Sequence, residues 1–422
     1  MRTPHIVLIH CHDLGTWLSC YGAPHAPTPE LERFASEGLV FDQAFATSPL
    51  CTPARSALFT GVSPHRNGLM GLTHHGWRYA PGVQTLPELL QGTGVHTTLI
   101  GLQHEDPDPC VLGYDEVRGL GFLPRSLQVA DEARSWFAEH GRSDDPYLVT
   151  IGMWEVHRPW PAEDYDPFPP GDVDVPPYLP DNDETRADLA SFYGALRQLD
   201  TAIGRVVQAI DQYGDPDNTL VIFTTDHGAA FPGAKGTLYD PGVRVAMIAR
   251  PPRAWNVPPG RIPGLVTHLD VVPTVLDLCG EQLPAQLEGR SLQPELRGAA
   301  ERSRRSLYLQ KTYHDGYDPI RAVRTDRYKY IRNYTPGPQL KLSKDLEESV
   351  TRRGMDDAHL APRPGEELYA LDEDPWESAN LAQQPEWRSV RDELAGELDR
   401  YMNDLSDPLL AGPVEPPPAP VR

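Results

Sequence analysis

Along the first two-thirds of the chain, short unbroken apolar runs alternate with longer amphipathic stretches. Residues 6–9, 97–100, 147–151 and 220–224 are runs of the length and make-up of strands buried on both faces. Between them, residues 31–37, 86–90 and the long segment 186–213 carry apolar positions at helical spacing. This alternation predicts an α/β fold: a large mixed, mainly parallel sheet sandwiched by helices. In such sheets, sites form beyond the carboxyl ends of the strands. Polar residues stand there: His12-Asp13, Gln103-His104 and Asp226-His227 follow their strands directly, and His157 follows a few residues later. Around residues 280–305 the pattern dissolves into Pro-, Gly- and Arg-rich sequence, a predicted boundary. Beyond it, 306–309, 320–324 and 328–334 read as strands of a smaller C-terminal antiparallel sheet, followed by a helix over 387–405. The expected organisation is a catalytic α/β domain over 1–295, an α+β subdomain over 296–405 and a Pro-rich tail over 406–422. That tail cannot form a packed core and is expected to be disordered or draped.

Composition narrows the function classes. At 422 residues the chain is too long for one ordinary core. No apolar run approaches the roughly 20 residues that span a bilayer, so an integral membrane protein is not expected. The N-terminal apolar run reads as a first buried strand rather than a secretory leader, so the expected compartment is the cytoplasm. Thirty-eight basic against 60 acidic residues give a net charge of −22. Such a chain repels nucleic acid and anionic membranes, and binds an anionic substrate only where cations gather locally. Only five of the basic residues are Lys, and the first of them is Lys235. The five cysteines, Cys11, Cys20, Cys51, Cys110 and Cys279, are odd in number and contain no CxxC, which argues against a disulfide framework or a zinc knuckle.

One segment carries chemistry most sharply: Ser48-Pro49-Leu50-Cys51-Thr52-Pro53-Ala54-Arg55-Ser56-Ala57-Leu58-Phe59-Thr60-Gly61. Its Cys-X-Pro-X-Arg core resembles the signature of the sulfatase family, formylglycine-dependent members of the alkaline phosphatase superfamily. Gly61-Val62-Ser63-Pro64-His65-Arg66-Asn67-Gly68 resembles the continuation of that signature. The resemblance implies that a formylglycine-generating enzyme oxidises Cys51, and that the hydrated aldehyde supplies the nucleophile. It also places Arg55 beside the transition-state charge.

Phe223-Thr224-Thr225-Asp226-His227-Gly228, with Lys235 eight residues after His227, is similar to the family's second signature. By that similarity Asp226 and His227 bind one divalent cation and Lys235 touches the sulfate. Asp13 and Cys51 complete the metal set, with His12 standing where the family carries a first Asp. Ca²⁺ is the expected ion, and His12 brings Mn²⁺ or another transition metal into consideration. Gly101-Leu102-Gln103-His104 resembles a Gly-Lys-X-His pattern with Leu102 in the place of the Lys; His104 is the expected base. His157, in Trp154-Glu155-Val156-His157-Arg158-Pro159, matches a histidine near the leaving group, a candidate general acid with Lys235. Segments 321–331 and 367–377 resemble the family's C-terminal sheet, and the 58–72 region together with the spacer before Lys235 is similar to N-sulfoglucosamine sulfohydrolase-like members. The implied activity is hydrolysis of a sulfate ester or sulfamate on a sugar or other small molecule, with Thr73, His74, His75, Tyr313, His314 and Asp315 as rim candidates. Two alternatives remain: a phosphonate monoester or phosphodiester hydrolase of the same superfamily, and a non-catalytic binding descendant, which His12 and Leu102 would favour.

Overall fold

The computed structural model of the chain describes residues 2–121, 123–299 and 304–418. Nine strands build the large sheet: β1 (His5–Cys11), β2 (Leu39–Phe45), β3 (His96–Gly101), β4 (Glu116–Arg118), β5 (Tyr147–Gly152), β6 (Thr219–Thr225), β7 (Arg244–Val245), β8 (Met247–Arg250) and β9 (Gly260–Thr267). Their order is β4-β3-β5-β1-β6-β8-β2-β7, with β9 paired to β2. Strands β4, β3, β5, β1 and β6 run parallel to their neighbours, whereas β8 is antiparallel to both β6 and β2. The mainly parallel sheet expected from the apolar runs is thus present, with its antiparallel strands confined to one side.

Both faces of the central strands are covered, which is why those strands read as continuous apolar runs. Along β1, Val7, Ile9 and Cys11 face a core shared with the helices Ser126–His140 and Asp183–Tyr213. Ile6 and Leu8 face the opposite core, shared with the helices Cys51–Thr60 and Val271–Cys279. At the end of β5, Gly152 is required by proximity. A Cβ there would lie 1.9 Å from the Leu102 carbonyl oxygen and 2.6 Å from the His10 ring.

The second sheet is a four-stranded antiparallel meander, β10 (Ser306–Tyr313), β11 (Tyr317–Thr325), β12 (Tyr328–Asn333) and β13 (Glu366–Ala370). Its side chains alternate between two cores. Leu307 and Leu309 pack with Phe45, Leu238 and Leu265 of the large domain, whereas Tyr308 faces Leu394, Leu398 and Met402 of the helix Arg388–Asp404. The described part of the Pro-rich tail, 406–418, lies along this sheet. Asp407 is buried against Arg321, and the Val414 carbonyl accepts a bond from the Tyr313 hydroxyl (2.7 Å). Residues 300–303 of the expected boundary and 419–422 of the tail lie outside the described residues. Among the described residues, no helix is long and apolar enough to cross a membrane.

Candidate active site

The carboxyl ends of β1, β3, β5 and β6 and the start of the helix Cys51–Thr60 converge on one buried group. Pro53 sits in the first turn of that helix, where its missing N–H would have no intrahelical partner anyway. All ten residues of the helix are buried, so Cys51 is held rigidly and is only 3% exposed. Gly61, in the left-handed conformation, ends the helix. Asn67 locks the following turn: its amide donates to Ser56 Oγ and the Val62 carbonyl, both at 2.9 Å.

Opposite Cys51 stand Asp13 and Asp226. Asp226 Oδ1 accepts the backbone N–H of Asp13 (2.9 Å) and of His227 (2.8 Å), tying the ends of β1 and β6 together. Its Oδ2 faces Arg55 Nη2 at 3.2 Å and His12 Nδ1 at 2.9 Å. His227 Nδ1 donates to the Gly228 carbonyl (3.0 Å), which leaves Nε2 as a bare lone pair. That lone pair points at Asp13 Oδ1 (3.1 Å) and the Cys51 sulfur (3.4 Å). Asp13 Oδ1 is buried and accepts no hydrogen bond. A lone pair facing a carboxylate oxygen in a buried site is repulsive unless a cation lies between them, so these donors fit a metal ion. His12, Asp13, Cys51 and Asp226 present ligand atoms that all lie within 4.8 Å of one another.

Arg55 reaches the same group from the helix Cys51–Thr60. It is fully buried; Nη1 donates to His10 Nδ1 (2.6 Å) and Nη2 to the Cys11 carbonyl (3.0 Å) as well as to Asp226. Its guanidinium lies behind Asp226 and orients that carboxylate. Lys235 is buried on the side where Asp345 and His157 reach solvent, with Nζ 2.8 Å from Asp13 Oδ2, 2.9 Å from Asp345 Oδ2 and 3.4 Å from His157 Nε2. Burial alone would lower its pKa, but Asp13 and then Asp345 hold it well above the usual lysine value, so it stays an ammonium.

His157 and His104 are neutral for a common reason. Burial lowers His157 to about 4, with Lys235 as the second cause, and burial also carries His104 well below its ordinary value. His157 Nδ1 lies 2.5 Å from the Arg158 carbonyl, so it holds the proton and Nε2 accepts from Lys235. In this state His157 takes a proton rather than gives one. His104 follows β3 with φ of 90°, and its carbonyl accepts from Thr52 Oγ1 (2.9 Å). Its ring lies beside His12 and parallel to His74, at centroid distances of 5.6 and 6.1 Å. Burial raises the Cys51 thiol well above its usual pKa, Lys235 opposing and Asp13 and Asp226 adding to the rise, so the sulfur is un-ionised. Counting only carboxylates, guanidinium and ammonium, Asp13, Asp226 and Asp345 against Arg55 and Lys235 leave one negative charge. A divalent cation reverses the sign to suit an anion.

Among the rim candidates, His75 Nδ1 approaches the His314 carbonyl (3.3 Å) and His74 stacks on His104, whereas Asp315 takes the N–H of Lys344 (2.9 Å). Tyr313 instead packs against Leu69 and Trp77. Two participants escaped the sequence reading. His10 shares a strand face with His12, so the period of two along β1 could have found it. Asp345 comes from the loop between β12 and β13, 110 residues from Lys235, and has no local signal.

Residues 4–281 match the sulfatase family, and residues 233–350, which span both Lys235 and Asp345, match the family described as N-sulphoglucosamine sulphohydrolase, C-terminal. The human N-sulphoglucosamine sulphohydrolase is 28% identical, over 98% of this chain and 92% of its own. A solved structure in complex with its substrate D-glucosamine-2-N,6-O-disulfate superimposes with a TM-score of 0.73 at 20% identity, covering 96% of this chain and 98% of the other. The phosphonate monoester hydrolase of Agrobacterium radiobacter reaches 0.75 at 20% identity, covering 97% of both chains. At these identities the two structures share the fold.

Proposed function

Because the chain belongs to the sulfatase family and hydrolyses a sulfate ester or sulfamate, we propose that it acts on a sulfated saccharide through formylglycine at position 51 and one divalent cation. The observation that carries the reading is the buried pair of facing electron-pair donors beside Cys51: Asp13 Oδ1, which accepts no hydrogen bond, and His227 Nε2, 3.1 Å from it and 3.4 Å from the Cys51 sulfur. Asp13, Asp226 and His227 are the proposed ligands, with residue 51 completing the set and His12 beside Asp226. Carboxylate oxygens favour Ca²⁺, and the imidazoles make Mn²⁺ the ion to test against it. The formylglycine hydrate would supply a nucleophilic hydroxyl, and the cation would stabilise charge on the sulfate oxygens.

The chain's own residues support that chemistry as follows. Arg55 holds Asp226 in place. Lys235 keeps its charge and offers it to the sulfate. His104, neutral and next to His12, is suited to accept a proton near residue 51. His157 Nε2 accepts a hydrogen bond from Lys235, and the pair is suited to stabilise or protonate a leaving oxygen or nitrogen. The saccharide assignment is supported by the human relative, named for N-sulphoglucosamine, and by the glucosamine disulfate bound to the related fold. The other four cysteines, Cys11, Cys20, Cys110 and Cys279, form no disulfide with one another, which accords with the cytoplasm as the compartment, to be checked by fractionation.

The deciding experiment is mass spectrometry of the Cys51 peptide from protein co-expressed with a formylglycine-generating enzyme, paired with turnover assays. Loss of the thiol mass and hydrolysis of N-sulfoglucosamine or an aryl sulfate are expected. Full activity with unmodified cysteine, or faster turnover of an aryl phosphonate, would overturn the proposal.

A further inference from the structure

An ammonium has three N–H donors. In this protein all three of Lys235 are engaged, by Asp13, Asp345 and His157. A substrate oxygen reaches Lys235 only by displacing one of them. Asp13 is fully buried at the end of β1 and also faces His227. The His157 ring is held by the Arg158 carbonyl and by Trp154, 4.2 Å away between centroids. Asp345 is different: its side chain is 24% exposed, its Oδ1 accepts from the hydroxyl of the neighbouring Ser343, and it stands on the short helix Lys344–Glu347, in the loop joining β12 to β13. Leu346 is buried and the Lys344 N–H is bound by Asp315, so that backbone is anchored while the Asp345 side chain borders solvent.

We propose that Asp345 is a specificity-determining residue, an internal carboxylate that occupies Lys235 in the substrate-free enzyme and is exchanged for a sulfate oxygen of the substrate. This rests on the reading that Lys235 grips the sulfate. The exchange replaces one anion by another at the same ammonium, so the buried cation stays paired in both states. Asp345 therefore weakens every anion that enters, and favours substrates whose remaining contacts compensate for its displacement. Once displaced, its carboxylate borders the bound group and repels further negative charge there.

The test is calorimetric titration of the metal-loaded, formylglycine-bearing protein with inorganic sulfate at constant ionic strength, alongside KM and kcat on an aryl sulfate. Asp345→Ser should tighten sulfate about tenfold, the ratio equivalent to ~1.4 kcal/mol, and lower KM more than it changes kcat. Asp345→Asn, which keeps an acceptor but removes the charge, should fall between Asp345→Ser and the parent. In a Lys235→Met background, Asp345→Ser should tighten sulfate far less than tenfold, because only the like-charge repulsion is then relieved. If both Asp345 variants bind sulfate no tighter while Lys235→Met abolishes binding, the exchange is wrong and Lys235 still grips the anion. If Lys235→Met binds sulfate like the parent, the grip itself is wrong, and the exchange falls with it.

Discussion

Asp226→Asn separates the structural and metal-binding duties of one carboxylate. The amide oxygen preserves the acceptor for the Asp13 and His227 N–H groups, but places an NH₂ or a neutral oxygen against Arg55 Nη2 and His12 Nδ1. Among the described residues, Asp226 is the carboxylate that pairs with the fully buried Arg55. Removing one partner of a buried pair costs about 3–5 kcal/mol. Unfolding entropy of roughly 2.1 cal/mol/K per residue amounts to about 0.9 kcal/mol/K for 422 residues unfolding together, so the midpoint should fall by about 3–6 °C. The metal adds a second signature. A cation at 100 times its Kd contributes about 2.7 kcal/mol, or about 3 °C on the same scale. Scanning calorimetry with chelator, Ca²⁺ and Mn²⁺, combined with elemental analysis, should show a metal-dependent rise in the parent. The variant should start lower and not respond. A variant that starts lower yet gains the full metal shift would make Asp226 a partner of Arg55 only. An unchanged midpoint would refute the buried-pair reasoning itself.

Two further substitutions probe the scaffold. His5 opens β1 with its ring stacked 4.0 Å from Tyr147, and burial, then Arg2, lowers its pKa to about 4. The unfolded chain therefore holds the extra proton between pH 6.5 and 4, and stability falls through that window as the pH drops, by at most about 3 kcal/mol for this residue. His5→Phe should narrow the gap between urea midpoints at pH 7.5 and 4.5; an unaltered gap rejects the assignment. Asp407→Ala should cost about 3–5 kcal/mol, because it strands the buried Arg321 guanidinium, whose Nη2 lies 3.1 Å from Asp407. Truncation after Leu410, which spares that pair, should cost less in the same denaturant titration.

The central strands were legible because burial on both faces writes itself as unbroken apolar runs, and the period of 3.6 marked the helix Asp183–Tyr213 to within a few residues. Strands β2, β8 and β9 were missed for a physical reason. β2 carries Asp42 and Gln43 in its middle, β9 begins with exposed residues, and β8 is only four residues long. None of these offers a periodicity long enough to read. In the site, residues adjacent to strand ends were visible in the order of the chain. What could not be read was how their hydrogen bonds divide. Arg55 and Lys235 are both buried cations near Cys51, yet one is sealed behind Asp226 and the other pairs with the partly exposed Asp345.

That division bears on how an acidic protein holds an anion. The resemblance to sulfatases led to the expectation of Arg55 near the transition state, with Leu102 removing a lysine. Leu102 is buried, its N–H bound to the Gly152 carbonyl (2.9 Å), so no charge enters from that strand end. With Arg55 committed to His10, Cys11 and Asp226, the positive charge left beside Cys51 among the described residues is Lys235 and whatever cation the Asp13 and Asp226 carboxylates hold. Asp345 already claims part of that lysine. A site so sparing in positive charge discriminates by competition: an anion enters when its contacts with Lys235, the cation and the rim outweigh those of the carboxylate it displaces. The distant acids behind the −22 net charge matter less, because at physiological salt their fields fade over about 8 Å, whereas Asp345 acts at 2.9 Å.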